Sequence, residues 1–285
     1  MTPDAPRHIA ATIGRVLAFI VFLVVFATGA TWFVTPPLIW LARHAAPDHS
    51  IDVRVYSELV AALAATAVML RSIEQRPFSD VGLSPTAARI RLMVGGLCVG
   101  GATNGFACVA LLTLGLLRFD AGTTDASWIG AALRVSVVLL PAALAEEVIC
   151  RGYLLTVIRE SVGTRTAVLV TSVGFGLLHI ANPGWTIESV IDVMLAGLLL
   201  AAVRIAMNSL YAAWMAHFAW NWVMAVPFHA AVSGRQFESP GYKAVTLDPS
   251  WLSGGSWGPE GGLIAAVGMT AGLAFLYARQ RREGL

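Results

Sequence analysis

The chain has 285 residues, 57% of them hydrophobic and only 13% charged, with a mean hydropathy of +0.72. A soluble domain carries roughly 25% charged residues, so this composition excludes an ordinary soluble enzyme and indicates a membrane protein. The formal net charge of +2 gives no grounds for nucleic acid as a partner.

Apolar stretches that cross a bilayer need about 20 residues each, and eight are predicted: 14–40, 55–71, 91–117, 129–151, 165–181, 187–205, 209–228 and 260–279. Arg7 and Arg15 precede the first, and no small-residue cleavage site follows it, so it reads as a retained span. Pro36-Pro37 is expected to end that helix early, because proline cannot continue the backbone ladder. The second stretch is polar at its start, with Tyr56, Ser57 and Glu58. Gly95-Gly96 and Gly100-Gly101 put small residues four apart on the third, a pattern suited to close helix packing inside the protein. The connection 229–259 carries Tyr242, Trp251 and Trp257, read as interfacial aromatics or, alternatively, as part of a lid over a site.

The fold class predicted is all-α: a polytopic membrane helical bundle of about eight transmembrane helices, forming a single membrane domain over 1–285. With both termini in the cytoplasm, 13 of the 19 basic residues fall on the inner side and 6 on the outer, in keeping with the positive-inside rule. The multi-pass protein is therefore placed in the cell membrane. Cys98, Cys108 and Cys150 lie in or beside apolar segments without motif spacing and read as small buried hydrophobes.

Charged and amide groups within lipid-soluble helices are costly and mark functional sites. Here they form three groups: Glu146, Glu147 and Arg151; Phe175 and His179; His217 and Asn221. Treating the fourth and fifth spans as a hairpin turning near Ser161-Val162-Gly163, Glu146 and His179 each lie roughly 25 Å from the turn at 1.5 Å per residue, hence at one depth. His217 and Asn221 are four residues apart and share a face of the seventh helix. The hairpin must protrude into the cytoplasm to bring that face level. Glu147 and Arg151, also four apart, read as an ion pair at the cytoplasmic margin, leaving Glu146 free for chemistry.

Such a set suits peptide hydrolysis. A carboxylate and an imidazole can activate water, and a second histidine with an amide can donate to the oxyanion. This reading commits to no cofactor. A divalent metal such as zinc remains the alternative, with Glu146, His179 and His217 as its ligands.

The three groups, as Glu146-Glu147-x-x-x-Arg151, Phe175-x-x-x-His179 and His217-x-x-x-Asn221, resemble the motifs of the CPBP family: CAAX prenyl endopeptidases, bacteriocin-processing enzymes and bacteriocin self-immunity (Abi) proteins. Order and separations fit, and the resemblance covers 128–228 as a catalytic core. It implies an intramembrane endopeptidase acting on a peptide or membrane-protein substrate. In it Glu146 and His179 activate water, His217 and Asn221 stabilise the oxyanion, and Glu147, Arg151 and Phe175 support them. Descriptions of that family divide between a glutamate-type and a metalloprotease mechanism; the glutamate type is favoured because the sequence shows no committed metal site, and the prenylated substrate is not carried over. The alternative readings are a membrane immunity or scaffold protein that keeps the motif without catalysis, and a transporter with a polar midplane site; no repeat between halves favours the latter.

Overall fold

The computed structural model describes residues 5–45 and 51–283. The expected cytoplasmic placement of the termini concerns residues 1–4 and 284–285, which lie outside the described residues. Among the described residues helices dominate and the sheet structure is one two-stranded ribbon, so the all-α bundle is borne out. Helix α1 (Ala5–Phe33) stops before Pro36-Pro37, which the first turn of α2 (Thr35–Ala45) accepts because its N–H groups need no intrahelical partner. Helix α3 (Arg54–Ala67) continues through a π-helical turn, Val68–Ile73. Then come α4 (Ile90–Thr113), strand β1 (Leu117–Ala121) and α5 (Trp128–Glu147). A second π-helical segment, Val148–Leu154, leads into α6 (Leu155–Leu178), followed by α7 (Ile187–Ala206) and α8 (Leu210–Ala225). Strand β2 (Tyr242–Thr246) pairs antiparallel with β1, and the short α9 (Ser250–Ser253) precedes α10 (Leu263–Glu283).

Every expected apolar stretch coincides with helix, and among the described residues six helical stretches are long and apolar enough to cross a membrane. One of the six, Trp128–Ala181, contains two expected spans, folded back at Gly163 (φ 79°, ψ 166°), where only glycine adopts the backbone without strain. Helix α8, with 16 residues, falls short of the length needed. The outer surface is apolar: Ile13, Leu17, Val21, Val24 and Trp32 of α1 are all exposed. Such a stripe is a liability in water and at home in lipid.

The site-bearing helix α8 is pressed onto α4. A Cβ added at Gly96 would lie 2.1 Å from the Ala212 carbonyl oxygen, and one at Gly100 only 1.8 Å from that of Ala216. The glycine pattern therefore serves internal packing. Asn104 of α4 donates to the Trp220 carbonyl (2.9 Å), and Ser209 caps α8 while donating to the Ala87 carbonyl (2.6 Å).

Pro141 lies inside α5 and supplies no N–H to the Val137 carbonyl. The Tyr56 hydroxyl donates to that carbonyl instead (2.9 Å), and Ser57 shares a hydrogen bond with Thr35 (2.7 Å). The polar start of the second stretch thus has a structural use.

Candidate active site

Consecutive residues on a helix point about 100° apart, so the two acids ending α5 face different surroundings. The Glu146 side chain is 41% exposed, into a cavity, whereas those of Glu147 and Arg151 are completely buried. The expected i,i+4 ion pair forms, and it is sealed from solvent. Only paired, hydrogen-bonded charges are sustained at such burial. Arg151 donates to Glu147 Oε1 (2.9 Å) and to the Gly197 carbonyl (3.3 Å), with its guanidinium carbon 4.0 Å from the centre of the Phe175 ring.

Glu147 Oε1 also meets His217 Nδ1 at 3.0 Å. A carboxylate only accepts, so Nδ1 carries the proton and Nε2 turns the other way. His179 Nδ1 likewise donates to the Phe175 carbonyl (2.8 Å), leaving its Nε2 free. Both Nε2 atoms face one carboxylate oxygen: Glu146 Oε2 lies 4.0 Å from His179 and 3.9 Å from His217. That oxygen is buried and has no hydrogen-bond partner. Phe175 packs against both imidazoles, at 4.7 Å and 5.8 Å between ring centres. The sequence-predicted side chains on α5, on α8 and at the end of α6 are thus brought together, and Asn221 lines the same cavity.

The cavity has a volume of about 1080 Å³. Beyond the expected residues its lining includes Asp52, Arg54 and Glu58, and it is walled by Val232, Ser233, Arg235, Gln236, Phe237 and Glu238. At its margin the Arg54 hydrogen bond holds the Asp52 carboxyl below its usual value, against the upward push of partial burial. Glu238 is tied to Arg134 by two bonds of 2.7 and 2.8 Å. The connection 229–259 is therefore part of the cavity rather than a plain interfacial loop. Its aromatics divide: Trp251 is exposed, while Trp257 is buried beside Cys150, Phe175 and Val193. Cys108 and Cys150 are buried as expected, but Cys98 is exposed.

Glu146, His179 and His217 do not fit a metal as they stand. Atoms sharing a tetrahedral zinc at about 2.1 Å lie roughly 3.4 Å apart, closer than the 3.9 and 4.0 Å found here. Among the described residues no group of three or more His, Cys, Asp or Glu is arranged to hold a metal ion. The spacing suits a bridging water, which needs roughly 2.8 Å to each partner.

Sequence reasoning missed two parts of the site, the Glu147–His217 bond and the π-helical segment, and offered the 229–259 connection over the site only as an alternative. Adjacency of Glu147 to Glu146 was the one available signal for the first. The seating of the 229–259 connection on the cavity rests on contacts distant in sequence.

A carboxylate facing two oriented imidazoles, on a cavity within an apolar helical bundle, is an arrangement suited to hydrolysis inside a membrane. Residues 128–223 match the family described as Type II CAAX prenyl endopeptidase Rce1-like, a family of intramembrane proteases. The match bears out the CPBP/CAAX-protease resemblance carried by the three motifs. It spans α5 to most of α8 and ends before the cavity wall. No curated protein matches the chain.

Proposed function

We propose that the protein is a multi-pass intramembrane endopeptidase of glutamate type, with 128–228 as its catalytic core within one membrane domain. The observation that carries this reading is Glu146 Oε2, unpaired and within 4.0 Å of two imidazole Nε2 atoms on a large cavity. Glu146 and His179 hold a water between them and take its proton as its oxygen attacks the peptide carbonyl carbon. With a proton at Nε2, balanced by Glu147 at Nδ1, His217 donates to the oxyanion together with the Asn221 amide. Glu146 then returns the proton to the amide nitrogen as the C–N bond breaks, releasing an amine and a carboxylic acid. Arg151 and Glu147 are hydrogen-bonded behind the His217 ring, and both chain ends lie on the arginine-rich cytoplasmic side of the cell membrane. The substrate is a peptide or a membrane protein.

The test uses purified protein in proteoliposomes with a quenched-fluorescent peptide library, alongside a comparison of membrane proteomes from wild-type and Glu146→Gln strains. Cleavage lost in Glu146→Gln, His179→Ala and His217→Ala, each still folded, is the expected result. Wild-type cleavage by the Glu146 variant refutes the reading in favour of a scaffold that keeps the motif without catalysis.

A further inference from the structure

Glu260 belongs to none of the three motifs and lies outside residues 128–223, yet its carboxylate is buried against the site. It sits on the short turn Pro259–Gly261 that leads into α10, and is only 6% exposed. Its Oε1 accepts from both the backbone N–H and the hydroxyl of Ser233, at 2.7 and 2.8 Å. Its Oε2 accepts from the indole N–H of Trp220 at 2.5 Å. Three neutral donors from two distant segments thus converge on one carboxylate. Leaving such a group unsatisfied in the interior is expensive, so the bonds specify a single arrangement.

Both segments matter to the chemistry. Ser233 belongs to the cavity wall and has φ 48°, and Gly234 follows it at φ 77°. A Cβ at Gly234 would stand 1.9 Å from the Pro183 carbonyl oxygen, so the wall is seated tightly just beyond His179. Trp220 lies on α8 between His217 and Asn221. A second cavity of about 20 Å³ separates Glu260 from the reacting groups, and His179, His217, Asn221 and Ser233 share its lining. One water needs roughly 10–15 Å³ and two to four polar partners, which that lining supplies.

We propose that Glu260 is a positioning residue of the site. It ties the cavity wall to α8 and so fixes His217 and Asn221 relative to Glu146. The proposal rests on the endopeptidase reading for its kinetic consequence, but not for the tie itself.

Glu260→Gln discriminates, because a carboxamide has one accepting oxygen where the carboxylate has two. If that oxygen keeps Ser233, the amide NH₂ opposes the Trp220 N–H, and Trp220→Phe removes the opposing donor. On a quenched peptide that wild type cleaves in a Glu146-dependent manner, Glu260→Gln is expected to lower kcat roughly tenfold or more while KM stays within about twofold. The Trp220→Phe/Glu260→Gln double variant should lose less than the two single losses multiplied. In Glu260→Ala, hydrogen exchange of backbone amides around Ser233 should accelerate about tenfold or more. A Glu260→Gln protein with wild-type kcat overturns the proposal, as does a kcat loss that merely tracks the unfolded fraction. Unchanged exchange at Ser233 overturns the tie. If wild type cleaves no peptide, the endopeptidase reading fails, while the exchange measurement still decides whether Glu260 holds the wall.

Discussion

Gly100→Ala tests whether the approach of α4 to α8 positions the site. The added Cβ would lie 1.8 Å from the Ala216 carbonyl oxygen and 2.8 Å from the Ala216 Cα, so backbone, not a flexible side chain, must move. Restoring a 3.0 Å contact requires a local parting of about 1.2 Å, and overpacking of this kind costs about 1–3 kcal/mol. His217 is the next residue after Ala216, and its 3.0 Å bond to Glu147 has little tolerance for such a shift. A misplacement near 1 Å costs about 100-fold in rate, so activity should fall further than stability. Gly101→Ala is the control, since its Cβ would meet only Val223 Cγ2 at 3.7 Å and Ala219 Cβ at 3.8 Å. The assay pairs thermal unfolding in detergent with turnover of a Glu146-dependent peptide. Equal melting temperature and turnover for the two variants would refute the argument, because the chemistry of the substitution is identical and only the facing atom differs.

Three further outcomes follow from individual side-chain contacts. Glu147→Gln leaves the Arg151 guanidinium buried without its carboxylate, and should destabilise the protein by about 3–5 kcal/mol. Glu147→Gln/Arg151→Met should recover much of that in the same thermal assay, though without the support for His217. Tyr56→Phe should cost about 1 kcal/mol by exposing the unpaired Val137 carbonyl. In a Pro141→Ala background, where a helical N–H returns, detergent unfolding should show almost none of that cost. Glu74 is partly buried, which pushes its carboxyl up, but bonds from Arg15 (2.8 Å) and Tyr153 and the nearby Arg76 charge outweigh this and hold it below its usual 4.5. Since the folded value is depressed, the stabilisation is fully present above about 4.5 and is lost as pH falls through the folded value. Melting curves from neutral pH to about pH 3.5 should therefore drop less for Glu74→Gln than for wild type.

The membrane class, the helices and the convergence of Glu146 with His179 were legible because they depend on local quantities: apolar run length, a fixed rise per residue and a turn at Gly163. The stripe at Gly96 and Gly100 was legible as packing for the same reason, although its partner α8 was not. What escaped depends on contacts between distant segments. Tyr56 bonds a carbonyl 81 residues away, vacated by Pro141. Glu147 reaches His217 across 70 residues, and Glu260 reaches Trp220 across 40 and Ser233 across 27. No periodicity encodes such pairs. Nor does an apolar stretch reveal that α8 stops at 16 residues or that two expected spans form one bent stretch.

The paired acids illustrate how one helix end can divide two identical functional groups between structure and chemistry. Glu147 spends one oxygen on both Arg151 and His217 and is sealed from solvent, so its charge is committed to holding a guanidinium and an imidazole. Glu146 is half open to the cavity, with its inner oxygen free and two imidazole nitrogens within 4.0 Å. A carboxylate without committed partners can exchange a proton with water at little structural cost, whereas protonating Glu147 would break up the buried pair. Exchanging the roles would require rotating the helix by about 100°, which the Arg151 contacts with Gly197 and Phe175 oppose. On the proposed mechanism, the order of the two glutamates, and not merely their presence, therefore sets which one acts as the base. A Glu146→Gln variant should accordingly lose turnover while keeping its fold, and Glu147→Gln should lose both.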